Sequence, residues 1–272
     1  MWKKFFATVI LLCMTISFAN VKAEQSAAEE YRNIFRGGNF YLEFKDKWGT
    51  RIIAAKNGTR MERMNYTFEH GAIAWLNPLG AIFGGNGDKN PEVMHKGGKY
   101  YYFVAKNKAN VCAEKDLHNE NLDPRQGWNK ISQKLAVPNE LAVFYWNDPY
   151  RSKSPAVSEP KFFGSGKALF DGKEYDCDKY ISRIQSRGGD KETFLRYDLL
   201  YRDGKLFRVD LCVSKDLVLY PVSSLEVVKI QRDIPDGTFK IYKGTKLYAA
   251  GTGDINDLLE KPNEIGTMEE SL

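Results

Sequence analysis

The stretch TFLRYDLLYRDGKLFRVDLCV, residues 193–213, decides how the chain is read. Two runs rich in aromatic and branched residues, Thr193 to Tyr201 and Leu206 to Val213, flank Asp203-Gly204. Both residues of an Asp-Gly pair tolerate positive φ, so the pair predicts a two-residue hairpin turn. Counting back from the turn places Tyr201 opposite Leu206 and Leu200 opposite Phe207. Apolar residues then fall on both faces, beside Arg196, Asp198, Arg208 and Asp210. A sheet with one face in water alternates more cleanly, so this one is expected to be covered, in part, on both sides.

The same grammar extends in both directions. Upstream, Phe162 to Phe170 and Lys173 to Ile184 flank Asp171-Gly172. Downstream, Tyr220 to Ile230 and Lys240 to Tyr248 read as two further strands. Near the start, Asn39 to Lys47, Arg51 to Lys56 and Thr59 to Tyr66 read as three strands, the last two joined by Asn57-Gly58. Lys99 to Lys106 is another. Glu24 to Arg36 has helix-forming residues and stops at Gly37-Gly38. Trp128, Ile131 and Leu135 have helical spacing, whereas Leu141 to Trp146 fits either helix or strand. Asn107 to Gly127 is polar and irregular, and Pro149 to Pro160 reads as a linker. The segment Thr67 to Asn90 is apolar and Gly-rich and reads as a short helix and a loop; it suits a buried core and an exposed binding patch equally.

The first residues are set apart from the domain. Met1-Trp2-Lys3-Lys4, an apolar run from Phe5 to Ala19 and Val21-Lys22-Ala23 describe a secretory signal cleaved after Ala23. The apolar run is shorter than the ~20 residues that span a bilayer. Cys13 follows Leu12 rather than a small residue, which disfavours lipidation there. The leader carries Lys3, Lys4 and Lys22 and no acid, so 37 basic and 35 acidic residues remain of 40 and 35. That near balance removes the basic footprint a nucleic-acid partner needs. The expected protein is extracytoplasmic: a single β-rich domain over 24–260 and an acidic, disordered tail over 261–272.

Reacting groups are sparse. His70, His95 and His118 stand alone, with no metal-ligand spacing around them. Gly164-Ser165-Gly166-Lys167 lacks the upstream glycine spacing of a phosphate loop. Asp254 to Asp257 lacks the Gly and terminal Glu of a calcium loop, and Asp254 suits a helix N-cap instead. The expectation is a non-enzymatic protein with no metal or cofactor. Cys177 and Cys212 are the candidate disulfide, with Cys112 as competitor for either.

Ser223 to Leu247, a strand followed by Ile234-Pro235-Asp236-Gly237-Thr238-Phe239-Lys240-Ile241-Tyr242-Lys243-Gly244, resembles the C-terminal end of the LolA-like lipoprotein-carrier superfamily. Asp203-Gly204-Lys205-Leu206 and the meander through Asn57 to Met61 are similar to that family's central hairpin and first strands. The resemblance implies a mainly β fold with helices (α+β), a curved antiparallel sheet or unclosed β-barrel covered by helices on its concave face. It also implies an apolar groove for a lipid or lipoprotein acyl chain, with Arg51, Arg60 and Arg63 as candidates for the family's carrier arginine. The candidate lining is Phe40, Leu42, Phe44, Tyr102 and Val104 from the sheet and Trp75, Leu76, Ile82 and Phe83 from the cover. The alternative is an envelope interaction or structural protein whose core is filled.

Overall fold

The computed structural model describes residues 28–46, 49–66, 91–105, 107–117, 128–152, 154, 156–185, 193–215, 218–249 and 264–268. The leader, the Thr67 to Asn90 segment with Trp75, Leu76, Ile82 and Phe83, His118 and the Asp254 cap lie outside those residues. The protein is mainly β, with a single unclosed sheet of thirteen strands. Among the described residues two α-helices are present, α1 over 28–36 and α2 over Trp128–Gln133. No helix among them is long and apolar enough to cross a membrane. The chain divides into two compact units.

The first unit takes the chain up to Arg36, Asn139–Trp146 and Ser154–Leu225. Its strands are β7 (Lys161–Phe170), β8 (Lys173–Ile184), β9 (Thr193–Arg202), β10 (Lys205–Lys215) and the first part of β11 (Val218–Gln231), paired in chain order. Asp171, Gly172, Asp203 and Gly204 all take positive φ of 49° to 72°, as their hairpin turns require. Leu206 faces Tyr201, but a bulge then slips the ladder so that Arg208, not Phe207, faces Leu200. The extra residue lets Phe207 leave the ladder and pack on Tyr175, with ring centroids 4.8 Å apart.

Cover on both sides of β9 is what the mixed pattern demanded, and Tyr197 to Tyr201 are five consecutive buried residues. On one face α1 contributes Tyr31, whose hydroxyl accepts the Leu206 amide at 3.2 Å. Arg32 lies 5.7 Å from the Tyr180 ring centroid and donates to the Val143 carbonyl. Tyr31 and Phe35 pack on Phe144 and Tyr145. The segment that fitted either helix or strand is therefore neither: Asn139–Leu141 forms a 3-10 turn and the chain continues through turns. On the other face Asp198 and Asp210 stand directly opposite. Their arginines come from two residues along the same strand, Arg196 with Asp198 and Arg208 with Asp210, rather than from the strand opposite.

The second unit holds Gly37–Pro138, Asn147–Lys153 and the chain from Glu226. The meander β1 (Phe40–Asp46), β2 (Gly49–Lys56), β3 (Thr59–Tyr66), β4 (Val93–Lys96), β5 (Lys99–Ala105) and β6 (Lys108–Ala113) is flanked by the end of β11 beside β1. β12 (Lys246–Ala249) and β13 (Glu264–Thr267) follow β6 at the other side. Three expectations are corrected here. The polar stretch after Asn107 begins with strand β6. β12 pairs with β6 in parallel, so the sheet is not wholly antiparallel. The acidic tail contributes β13, which pairs with β12.

The strand expected over Lys240 to Tyr248 is also corrected: it starts only at Lys246, and Ile234 to Gly244 runs through turns. Successive turns close at Pro235 O to Thr238 N (3.2 Å) and Gly237 O to Lys240 N (3.0 Å). They drop Phe239 and Ile241 onto one face of the sheet, against Tyr41, Ala54, Met61, Met94, Phe103 and Ala109. Arg63 holds this plug by donating to the carbonyls of Thr238 and Lys240.

The turns offer a direct check on this architecture. Gly204 has φ +72° and open space where a Cβ would sit, so only backbone strain opposes substitution. Gly204→Val is expected to cost about 1–2 kcal/mol in urea unfolding, and Gly204→Asn distinctly less, because Asn tolerates the left-handed region.

Candidate functional site

The face of the second unit opposite the Phe239 plug carries the sheet residues of the expected groove. Register fixes this: Leu42 pairs with Ile53, Ile53 with Glu62, Glu62 with Val93 and Val93 with Tyr102. Phe40 and Phe44 sit two residues either side of Leu42 and share its face. Val104 lies at a break in the β5–β6 register. Four of the five described candidates thus fall on one regular face and the fifth at its bulged margin. The remaining four belong to the Thr67 to Asn90 segment.

That face is already covered. α2 and the turns after it bring Trp128 and Leu135 onto Val93, Tyr100 and Cys112, with Ile131, Tyr102 and Tyr150 around them. Phe40, Leu42 and Phe44 are 0–1% exposed. Helical spacing of Trp128, Ile131 and Leu135 predicted the α2 face correctly, although the helix proper ends at Gln133.

Charged pairs hold this cover in place: Arg60 and Arg51, two of the candidate arginines, meet carboxylates that the sequence did not single out. Arg60 on β3 meets Asp148 in a two-pronged pair, Nη1 to Oδ1 at 2.8 Å and Nη2 to Oδ2 at 2.9 Å, with both side chains buried. Oδ2 also accepts the Val137 amide at 2.7 Å and Oδ1 the Tyr150 amide at 3.2 Å. The guanidinium lies 5.1 Å from the Phe40 ring centroid and 4.5 Å from that of Tyr150. Arg151 donates to the carbonyls of Val137 and Pro138. Asp148 therefore anchors the turn that leads from Leu135 to Tyr150.

Two further ion pairs lie near it. Arg51 Nε donates to Glu62 Oε1 at 3.0 Å, and Lys134, just beyond α2, meets Glu92 at 3.0 Å. Burial pushes the Glu62 carboxyl up to about 7; Arg51 opposes the shift, Glu92 adds to it and Lys134 opposes it. Its second oxygen is buried with no hydrogen-bond partner among the described residues, which suits a carboxyl that keeps its proton. His95, across from Arg60 in the ladder, stacks on Tyr100 with centroids 4.3 Å apart. Its Nδ1 is 2.6 Å from the Tyr150 hydroxyl and its Nε2 is 3.5 Å from a Glu114 oxygen. Burial lowers its pKa, against the pull of Glu114, and burial raises that of Tyr150. In a neutral ring the Tyr150 hydroxyl can donate to Nδ1, which leaves the ring proton on Nε2, buried and without a hydrogen-bond partner among the described residues.

The cysteines do not form the expected bridge. Cys177 faces Leu200 on β9, whereas Cys212 faces Arg196 from the far side of the same strand. An intervening strand and a four-residue offset separate them by roughly 17 Å, far beyond disulfide reach. Cys112, Cys177 and Cys212 are all free thiols. Burial raises the pKa of each, that of Cys177 to about 12, which makes them poor nucleophiles. Among the described residues no group of three His, Cys, Asp or Glu side chains could hold a metal ion.

No family model, curated protein or solved structure matches the chain. Residue geometry alone carries the functional reading.

Two measurements probe the network. Asp148→Ala strands a buried guanidinium and should lower stability by about 3–5 kcal/mol, whereas Arg60→Met with Asp148→Asn, which removes both charges and keeps an acceptor for the Val137 and Tyr150 amides, should lose less. Glu62 gives a pH dependence of defined sign. Between about pH 5 and pH 7 the unfolded chain has released the proton that the folded protein retains, so stability falls as pH rises through that window. Thermal melts should show this fall in the wild type and a smaller one in Glu62→Gln.

Proposed function

We propose that the protein is a non-enzymatic, extracytoplasmic binding protein that takes an apolar ligand, a lipid or lipoprotein acyl chain, against the face bearing Phe40, Leu42, Phe44 and Tyr102. The observation behind this reading is how the face is closed. Among the described residues its cover, over Val93, Tyr100 and Tyr102, is one six-residue helix and the turns after it, tied to the sheet by polar links: Arg60 to Asp148, Arg51 to the Lys134 carbonyl and Lys134 to Glu92. Apolar side chains lie beneath. A lid with a polar attachment and an apolar underside can be exchanged for an apolar ligand, which recovers ~0.8 kcal/mol for each CH₂ removed from water. The lipoprotein-carrier-like arrangement, with helices on a concave face, belongs to this proposal.

A second reading, an envelope interaction or structural protein, is favoured by the near-zero exposure of Phe40, Leu42 and Phe44. A face so well filled has its ligand built in. Opening it would disrupt a buried ion pair, and that cost weakens apparent ligand affinity in proportion to the rarity of the open state.

Native mass spectrometry of the exported protein and titration with a fluorescent fatty acid separate the two. Under the first reading the probe binds saturably, and Asp148→Asn, which loosens the lid, takes it up faster than wild type. Absence of uptake in both, with both folded by circular dichroism, would sink the ligand reading and leave the filled core.

A further inference from the structure

The outer edge of the first unit carries an interaction surface that the ligand reading does not use. β7 is the terminal strand of the sheet and pairs only with β8 among the described residues. It is ten residues long and exposed or half-exposed throughout. Phe163 and Leu169 are 69% and 74% exposed and Phe162 is 36%. Edge strands are ordinarily protected by shortness, by proline or by unpaired charge. The other terminal strand, β13, has only four residues. β7 has no proline, and its central charge, Lys167, is already paired with Asp176 of β8. What remains is a long row of amides and carbonyls without strand partners, flanked by apolar side chains.

We infer that β7 pairs antiparallel with β7 of a second copy of this chain, across a twofold axis at Gly166. A twofold perpendicular to a sheet keeps each face on its own side, so paired residues must share a face. The β8 register tests this. With Gly166 on the axis, Ser165 meets Lys167 of the other copy and Gly164 meets Ala168. The bulge at Phe163 then absorbs one residue, so Phe162 meets Leu169 and Lys161 meets Phe170. Phe162, Ser165, Lys167 and Leu169 face Tyr180, Asp178, Asp176 and Glu174, all on one face of β8. Lys161, Gly164, Ala168 and Phe170 face Ile181, Lys179, Tyr175 and Lys173, all on the other. Each pair shares a face, as any such pairing must, and the bulge makes Phe162 rather than Phe163 the partner of Leu169. No like charges meet, the two largest apolar groups on one face meet each other, and glycine at the axis leaves no side chains to collide. An unrelated extended peptide would have no reason to match this register.

Sedimentation velocity over a micromolar concentration series tests the pairing. The wild type should dimerise. Phe162→Lys with Leu169→Lys places like charges opposite each other twice and should weaken association by about tenfold or more, whereas Phe162→Lys with Leu169→Glu should restore it in a salt-sensitive form. An independent readout uses a Cys177→Ser background, because Cys177 lies directly opposite Gly166 in the ladder. A Cβ at Gly166 meets nothing within 4 Å, so Gly166→Cys should give a disulfide-linked dimer on mild oxidation; Phe163→Cys in the same background, at the bulge, should not. A monomeric wild type, a dimer indifferent to the two lysines, an opposite-charge variant no better than the like-charge one, or Gly166→Cys that crosslinks no faster than Phe163→Cys would each overturn the pairing.

Discussion

The pairing of Arg60 with Asp148 is the constraint on which the second unit depends. Taking both charges out of water costs several kcal/mol for each ion, and mutual attraction offsets this only when the remaining hydrogen-bond capacity is filled. Asp148 meets that condition by accepting four donors, two from Arg60 and one each from the Val137 and Tyr150 amides. Those two amides lie on opposite sides of Asp148 in sequence, so satisfying the carboxylate fixes the path of the chain from 137 to 150. Leu135 and, through α2, Trp128 are then delivered onto Val93 and Tyr100. Lysine could not replace Arg60. Its point charge lacks the planar fork that reaches both oxygens and the flat surface that Phe40 and Tyr150 flank.

The parts of this fold that were legible in the sequence are those governed by single residues. Asn57-Gly58, Asp171-Gly172 and Asp203-Gly204 each adopt the positive φ that only such residues take easily, and the strands around them follow. The parts that misled are those where one pattern serves two geometries. Phe239 and Ile241 alternate as in a strand, yet alternation only requires that every second residue be buried. A plug of turns anchored by Arg63 meets that requirement as well. Phe207 shows the complementary failure: a one-residue bulge costs nothing visible in composition but changes every pair beyond it. The groove face was legible as alternation in Phe40, Leu42 and Phe44, but its lid was not. Asp148 sits in Asn147-Asp148-Pro149, which reads as an ordinary turn, and only a buried arginine distant in sequence gives it meaning. An acid between Trp146 and Tyr150, in a segment otherwise apolar, was the one available signal.

Covering a sheet on both faces changes what its charged residues must do. In a half-solvated sheet the polar residues of a strand point to water. In β9 and β3 they cannot, and Asp198 and Glu62 are buried. Each is brought an arginine, Asp198 from two positions along its strand and Glu62 from the neighbouring strand. The local solution in β9 explains how Asp198 and Asp210 can stand directly opposite one another, an arrangement that would otherwise be repulsive: each carboxylate meets its own guanidinium before it meets the other. In both strands the compensation is incomplete: among the described residues Asp198 Oδ1 and Glu62 Oε2 are buried without a hydrogen-bond partner. For Glu62, which burial pushes up to about 7, protonation relieves part of the remaining cost.

The same burial limits where this protein can recognise anything. A face committed to core must be reopened before it can bind, and the ion pair that closes it sets the free energy of doing so. An edge needs no reopening. Its backbone groups are already directed outward, and their pairing geometry is supplied by the strand itself rather than by placed side chains. In β7, at the terminal edge of the first unit, unused hydrogen-bonding capacity and exposed apolar area coincide. The Phe163 bulge matters most there. On an isolated edge a bulge discourages pairing by breaking the ladder, but in β7 it changes which residues meet across the axis. Phe162 comes onto the face of Leu169, so that those two apolar side chains, rather than Phe163 and Leu169, pack on each other.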